Sequence, residues 1–151
     1  MFYHFKIKKL CGGYMAECLE IPDCETQAED IETLKQKMKT KLNNYIIHTS
    51  GYNSIIPLPM ESIDYVNMKD CELFNVKVNQ DLVFSLLLKN TRLKNHKTQR
   101  EMAKILNYNH VSGYNRLEKY ANPTLSTLYK ILEILPDFPL YLLFSSKNQN
   151  K

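Results

Sequence analysis

Apolar and polar side chains alternate from the first residues: Tyr3, Phe5 and Ile7 fall on one side and His4, Lys6 and Lys8 on the other, the period of a strand. Cys11-Gly12-Gly13 follows as a hairpin turn, because paired glycines supply positive φ without steric cost. Residues 14–19 form the return strand; Pro22, which cannot donate to a ladder, interrupts it, and residues 24–27 resume as a short third strand. The period then changes. Ile31, Leu34, Met38, Leu42 and Tyr45 step by three and four, predicting a helix of about five to six turns. Thr26 with Glu29 reads as its capping box, and Gly51 as its stop. Residues 53–59 make a proline-bearing extended link, and residues 71–78 alternate as a final strand. Strand, strand, short strand, helix, strand predicts a small antiparallel sheet with one helix on one face.

The remainder is helical in period. Leu82 and Leu86, with Phe84, Leu87 and Leu88 on other sides, predict a helix central to a bundle, with Arg92, Lys94 and Lys97 near its end as phosphate candidates. Thr98 and Glu101 form a capping box that starts the next helix at about Gln99. Met102, Ile105 and Leu106 are its inner face, while Arg100, Glu101 and Lys104 point outward. Asn107-Tyr108-Asn109 breaks the period, Asn being tolerant of left-handed backbone, and Asn109 is the expected cap of a second helix. There Val111, Tyr114 and Leu117 form a stripe expected to pack on Met102 and Ile105. This spacing reads as a helix-turn-helix. Asn122-Pro123 is read as the cap and first residue of a later helix with Leu125, Leu128, Ile131, Leu132 and Leu135 as core and Tyr129 and Ile134 outside. Residues 138–144 are almost wholly apolar, an excess for so small a domain. Leu140, Tyr141, Leu142, Leu143 and Phe144 are therefore the expected dimerisation seam, as a short helix or strand, and residues 145–151 a frayed polar tail.

The opposite stripe of the second motif helix carries chemistry. Asn109, Ser112, Gly113, Arg116 and Lys119 share one face, flanked by His110 and Asn115. Asn, Ser and Arg hydrogen-bond base edges, and Lys and Arg neutralise phosphates. Gly113 costs about 1 kcal/mol in a helix interior relative to Ala, a loss expected where a DNA backbone or groove wall comes close.

Charge divides the chain into two domains. Residues 1–77 carry nine Lys against eleven acids, net −2, and residues 78–151 carry eleven Lys and Arg against five acids, net +6, which together give the chain's +4. Different partners are expected for each half. The expected division is an α+β domain over residues 1–60, a final strand and linker over 61–78, and an all-α domain over 79–151. From Glu17 to Glu32 there are seven acids and no Lys or Arg. Glu29, Asp30 and Glu32 suit the start of a helix, whereas Glu17, Glu20, Asp23 and Glu25 precede it and suggest a surface for a basic partner. Lys35, Lys37, Lys39 and Lys41 are two apart and read as a solvated helix surface.

Little here supports catalysis. A metal-dependent nuclease gathers carboxylates on neighbouring strand ends, and residues 2–9 contain none. His4, His48, His96 and His110 lack an evident nucleophile partner, and Cys11, Cys18, Cys24 and Cys71 lack zinc-site spacing. No enzyme, metal or cofactor is expected. The cysteines read as reduced thiols of a cytoplasmic protein without a signal peptide, and the longest apolar run is too short to span a bilayer.

Cys11-Gly12-Gly13-Tyr14, the run from Ile21 to Gln27, the helix after it and Ile56-Pro57-Leu58-Pro59 together resemble the HicB antitoxin family. Residues 99–117 resemble the Xre-like helix-turn-helix found on some HicB proteins. Asp23 and Ala28 stand where that family often has Gly, and Asn107 where a turn Gly is usual. The resemblance implies a type II antitoxin. Its N-terminal half would look like a truncated, catalytically inert RNase H fold that covers the active site of a HicA-like mRNA-cleaving toxin. Its C-terminal half would bind operator DNA of its own operon as a homodimer or tetramer. The expected DNA-contacting residues are Thr98, Gln99, Arg100, Asn109, His110, Ser112, Gly113, Asn115, Arg116 and Lys119; the expected toxin-contacting residues are Glu17, Glu20, Asp23, Glu25, Glu29 and Asp30. The alternative function is a ligand-responsive repressor with an N-terminal sensor.

Overall fold

The N-terminal residues build a four-stranded antiparallel sheet, β1 Phe2–Leu10, β2 Gly13–Cys18, β3 Glu25–Ala28 and β4 Glu72–Lys77, in the order β3-β2-β1-β4. The computed structural model describes residues 1–49, 53–61, 71–119 and 121–144. Alternation works as the pattern requires, since Tyr3, Phe5 and Ile7 are buried, as are Ala16 and Cys18 on β2. Leu10 pairs with Gly13, so Cys11 and Gly12 form a two-residue hairpin loop, and Gly12 takes the positive φ of 105°. Gly13 is required for space: a Cβ there would meet the Ala28 carbonyl oxygen at 2.5 Å.

Helix α1, Ile31–Thr49, contributes Leu34, Met38 and Leu42 to the same core, while Tyr45 is only half-buried. Its cap is not the expected Thr26–Glu29 box. Thr26 is committed to β3, and Asp30 instead accepts the Thr33 N–H at 2.8 Å and the Thr33 hydroxyl at 2.7 Å. Gly51 and residues 145–151 lie outside the described residues.

The chain falls into two units, one of residues 2–45 with 57–78, the other of Met1, residues 46–56 and residues 79–151. The second unit comprises α2 Gln80–Lys94, α3 Gln99–Ile105, α4 Val111–Leu117, α5 Leu125–Ile134 and α6 Tyr141–Phe144. Every residue of α2 from Leu82 to Arg92 is buried, as its all-round apolar pattern predicts. Asn90 clamps the backbone of Ile56, accepting its N–H at 3.0 Å and donating to its carbonyl at 2.7 Å, and the Lys89 ammonium donates to the Thr49 carbonyl. Phe84 and Phe138 meet with centroids 5.9 Å apart.

Helix α5 starts later than the Asn122-Pro123 reading placed it. Thr124 is the cap, accepting the Thr127 N–H at 3.2 Å, so Pro123 precedes the helix. Ile131 and Leu135 are fully buried, Leu128, Leu132 and Ile134 half-buried, and Tyr129 exposed. Leu125, expected in the core, is 84 % exposed, on the first turn of α5. Residues 140–144 contain the short α6 with Tyr141 and Phe144 exposed and Leu140, Leu142 and Leu143 half-buried. Among the described residues no helix is long and apolar enough to cross a membrane.

Candidate nucleic-acid interface

Helix α3 begins where its capping box dictates. The Thr98 hydroxyl accepts the Glu101 N–H at 3.1 Å, and the Glu101 carboxylate accepts the Thr98 N–H at 2.6 Å. The Thr98 N–H, and then the Thr98 hydroxyl, which donates to the same carboxylate at 2.8 Å, hold the Glu101 carboxyl below the usual carboxylate range. Met102, Ala103 and Leu106 are the buried face; Ile105, expected there, is exposed.

The turn is a Schellman motif. Tyr108 donates to the Ala103 carbonyl at 2.8 Å and Asn107 to Lys104 at 3.2 Å, with Asn107 in the left-handed region at φ 60°. Closing this turn consumes Asn107 and Tyr108, so the cap of α4 falls on His110, with φ −135° and no side-chain cap bond, and not on Asn109. The same motif ends α2, where His96, at φ 53°, occupies the left-handed position and Lys97 donates to Arg92 at 3.1 Å.

A buried ion pair locks α4 in place. Glu118, immediately after α4, accepts from Arg92 Nε at 2.5 Å and Nη2 at 3.0 Å, from Gln99 Nε2 at 2.7 Å and from the Tyr114 hydroxyl at 2.7 Å. Arg92 Nη1 donates to the Lys97 carbonyl at 2.8 Å. α2, α3 and α4 are therefore tied to a single carboxylate. Burial opposes the charge on Arg92, but the Glu118 hydrogen bonds and charge outweigh it and keep the guanidinium's pKa raised. Burial, then the Glu118 charge, pushes the Tyr114 phenol up.

This arrangement sorts the residues singled out in the sequence. Thr98, Arg100, Asn109, His110, Ser112, Arg116 and Lys119 are exposed. Among the described residues, no carboxylate lies within ion-pair distance of Arg100, Lys104, Arg116 or Lys119. Gln99 is half-buried and its amide is engaged by Glu118. Asn115 is half-buried, with Oδ1 buried and without a partner. Gly113 has a reason other than DNA: a Cβ there would meet Tyr108 Cδ1 at 2.7 Å, so the ring of the turn residue occupies that space. Arg92 is no phosphate contact, being 2 % exposed and paired; Lys94 remains exposed and Lys97 half-exposed.

On the N-terminal unit Asp23, Glu25, Glu29 and Asp30 are exposed, and half-buried Glu17 pairs with Lys6 at 2.9 Å. Glu20 is not on that surface. Its carboxylate is buried, 2.5 Å from His4 Nδ1, accepting the backbone N–H of His4 at 3.0 Å and of Met60 at 3.3 Å. Sequence reading missed Glu118, Arg92 and Tyr108. Pairing between residues 26 apart has no local signal, although an apolar-flanked Arg in α2 hinted at a buried partner.

Among the described residues no group of three or more His, Cys, Asp or Glu is arranged to hold a metal ion. A comparison with curated proteins found no match to this chain. Residues 88–141 match the model of a helix-turn-helix family, and this region, from the C-terminal half of α2 to the start of α6, is a helix-turn-helix domain of a DNA-binding class.

Proposed function

We propose that this protein is a DNA-binding transcription regulator in which α4 reads operator DNA of its own operon. The observation that carries this reading is the exposed polar face of Asn109, His110, Ser112, Arg116 and Lys119, with Arg100 beside it, held out by the network on Glu118. A helix seated in the major groove presents such groups to base edges and phosphates. In a mobility shift on the promoter of its own gene, affinity falls steeply with salt as counterions are released. Arg116→Ala loses about 1–3 kcal/mol and relaxes sequence preference. A change in salt slope with sequence preference intact would demote Arg116 to a phosphate anchor; no shift at any salt would refute DNA reading.

The N-terminal unit, on its resemblance to HicB, covers a HicA-like mRNA-cleaving toxin, making the chain the antitoxin of a type II pair. The exposed acids Asp23, Glu25, Glu29 and Asp30 support this reading, since a protein that occupies an RNA-binding surface gains from RNA's own sign of charge. Co-purification with a basic neighbouring gene product tests it, and Asp23→Lys with Glu25→Lys weakens that complex while leaving DNA binding unchanged. One observation favours the alternative, a ligand-responsive repressor. A cleft of about 520 Å³ lies beside the β1–β2 hairpin, lined among others by Tyr14, Gln27, Glu29, Thr33 and Lys37, within the size range of small-molecule sites. Absence of a toxin partner, together with small-molecule release of operator DNA, would select it.

A further inference from the structure

Two buried thiols face each other where the β2–β3 ladder ends. The paired positions run from Tyr14 with Ala28 to Glu17 with Glu25, and one step further sets Cys18 opposite Cys24. The Cys18 N–H donates to the Cys24 carbonyl at 2.9 Å. Directly opposed residues of an antiparallel ladder have Cα atoms about 4.5–5.5 Å apart with side chains on the same face, inside the roughly 4.4–6.8 Å that a disulfide spans. Both cysteines are free and buried, and Cys18 Sγ lies 3.5 Å from Glu20 Oε2. The other two cysteines differ, Cys11 being exposed and Cys71 half-buried.

We propose that Cys18 and Cys24 are a reversible redox-modification site that closes to an intramolecular disulfide, with a hydroperoxide as oxidant. Cys24, next to the exposed Asp23 of the turn, is the attacking sulfur in this scheme, and the neighbouring Cys18 thiol and the charge of Lys41 favour its thiolate. Its thiolate attacks one peroxide oxygen, the O–O bond breaks, and the departing hydroxide leaves as water after taking a proton. Cys18 sulfur then displaces the oxygen of the Cys24 sulfenic acid; the S–S bond forms, the S–O bond breaks, and a second water leaves with the proton that Cys18 gives up, Glu20 being the adjacent acceptor. Two thiols lose two electrons, and one hydrogen peroxide becomes two waters.

The turn between the two cysteines reaches the surface. Pro22 and Asp23 are exposed, Asp23 holds a left-handed φ of 61°, and the backbone bond inside the turn, Cys24 N–H to the Ile21 carbonyl, is long at 3.4 Å. The bridge would fasten the turn that carries Glu20, whose carboxylate anchors His4 and Met60.

The test exposes the folded full-length chain to hydrogen peroxide, quenches it, denatures it, alkylates remaining thiols and maps the peptides. The expected result is one Cys18–Cys24 bridge with Cys11 and Cys71 alkylated, full reversal by dithiothreitol, and the same bridge in a Cys11→Ser, Cys71→Ser variant. Alkylation of Cys18 and Cys24 after that exposure, their conversion to sulfinic or sulfonic acid, or a bridge that includes Cys11 or Cys71 would overturn the proposal.

Discussion

Glu118 accepts four hydrogen bonds from Arg92, Gln99 and Tyr114 in a place with almost no solvent. Removing one partner of a buried pair leaves an uncompensated charge, so Glu118→Ala should cost about 3–5 kcal/mol of unfolding free energy, read from chemical denaturation. The double change Arg92→Met, Glu118→Leu should cost less than Glu118→Ala, because Arg92 is then not left as a buried charge without its partner. Gly113 is a second residue-scale case. Ala in its place offers about 1 kcal/mol of helix propensity, but its Cβ meets the Tyr108 ring. Gly113→Ala should therefore fail to stabilise the protein alone and gain about 1 kcal/mol in a Tyr108→Ala background, a coupling that a double-mutant cycle measures. At this scale the sequence was legible for the Thr98–Glu101 box, but not for the equally local Asp30–Thr33 cap, where a Thr26–Glu29 box was expected. It was opaque for Glu20, Arg92 and Gly113, whose partners arrive from elsewhere in the fold.

Helix ends decide where the elements of both units stop and start. Asp30 and Glu101 cap α1 and α3, and hydrogen bonds from Thr33 and Thr98 lower their pKa values. A carboxylate lowered in the folded state contributes stability above its unfolded value, about 3.9 for Asp and 4.3 for Glu, and that contribution is lost as pH falls through the folded value. Carboxyl titration by NMR should place both groups below those values, with the first turns of α1 and α3 loosening on the acid side. Two helices end on non-glycine residues in the left-handed region, His96 and Asn107. His is the less tolerant of the two, and His96→Gly should stabilise by about 1 kcal/mol in thermal or chemical denaturation. The Asn107 turn was legible because Asn is a turn residue. His96 was not, because His is a weaker turn signal than Asn or Gly.

Leu125, Tyr129, Tyr141 and Phe144 are 84, 65, 67 and 72 % exposed and come from α5 and α6. Each large apolar side chain withdrawn from water contributes about 1.5–3 kcal/mol. A self-association seam over 140–144, extended to the start of α5, is the expected reading of this surface. Truncation after Asp137 should shift size-exclusion elution to a smaller species, and Leu125→Lys should do the same with α6 intact. Unchanged elution for both would place the seam elsewhere. Asp137 itself must stay, since it accepts from Asn95 Nδ2 at 3.0 Å. The charge asymmetry of −2 and +6 between the halves belongs to the same scale, and it governs salt dependence and partner choice, not the fold.

Composition and periodicity alone determined the alternation that buries Tyr3, Phe5 and Ile7, the stripe of α1, the all-round burial of α2 and the two short helices of the motif. The physical reason is that these depend on which neighbours a strand or helix repeat brings to one side. Tertiary structure alone decided which charges are surface and which are interior. Glu20 and Glu118 read as ordinary acids in the chain, yet each is desolvated and holds groups distant in sequence, at His4 and Met60 in one case and at Arg92 and Gln99 in the other. Desolvation is a property of everything packed around an atom, so no window of sequence contains it.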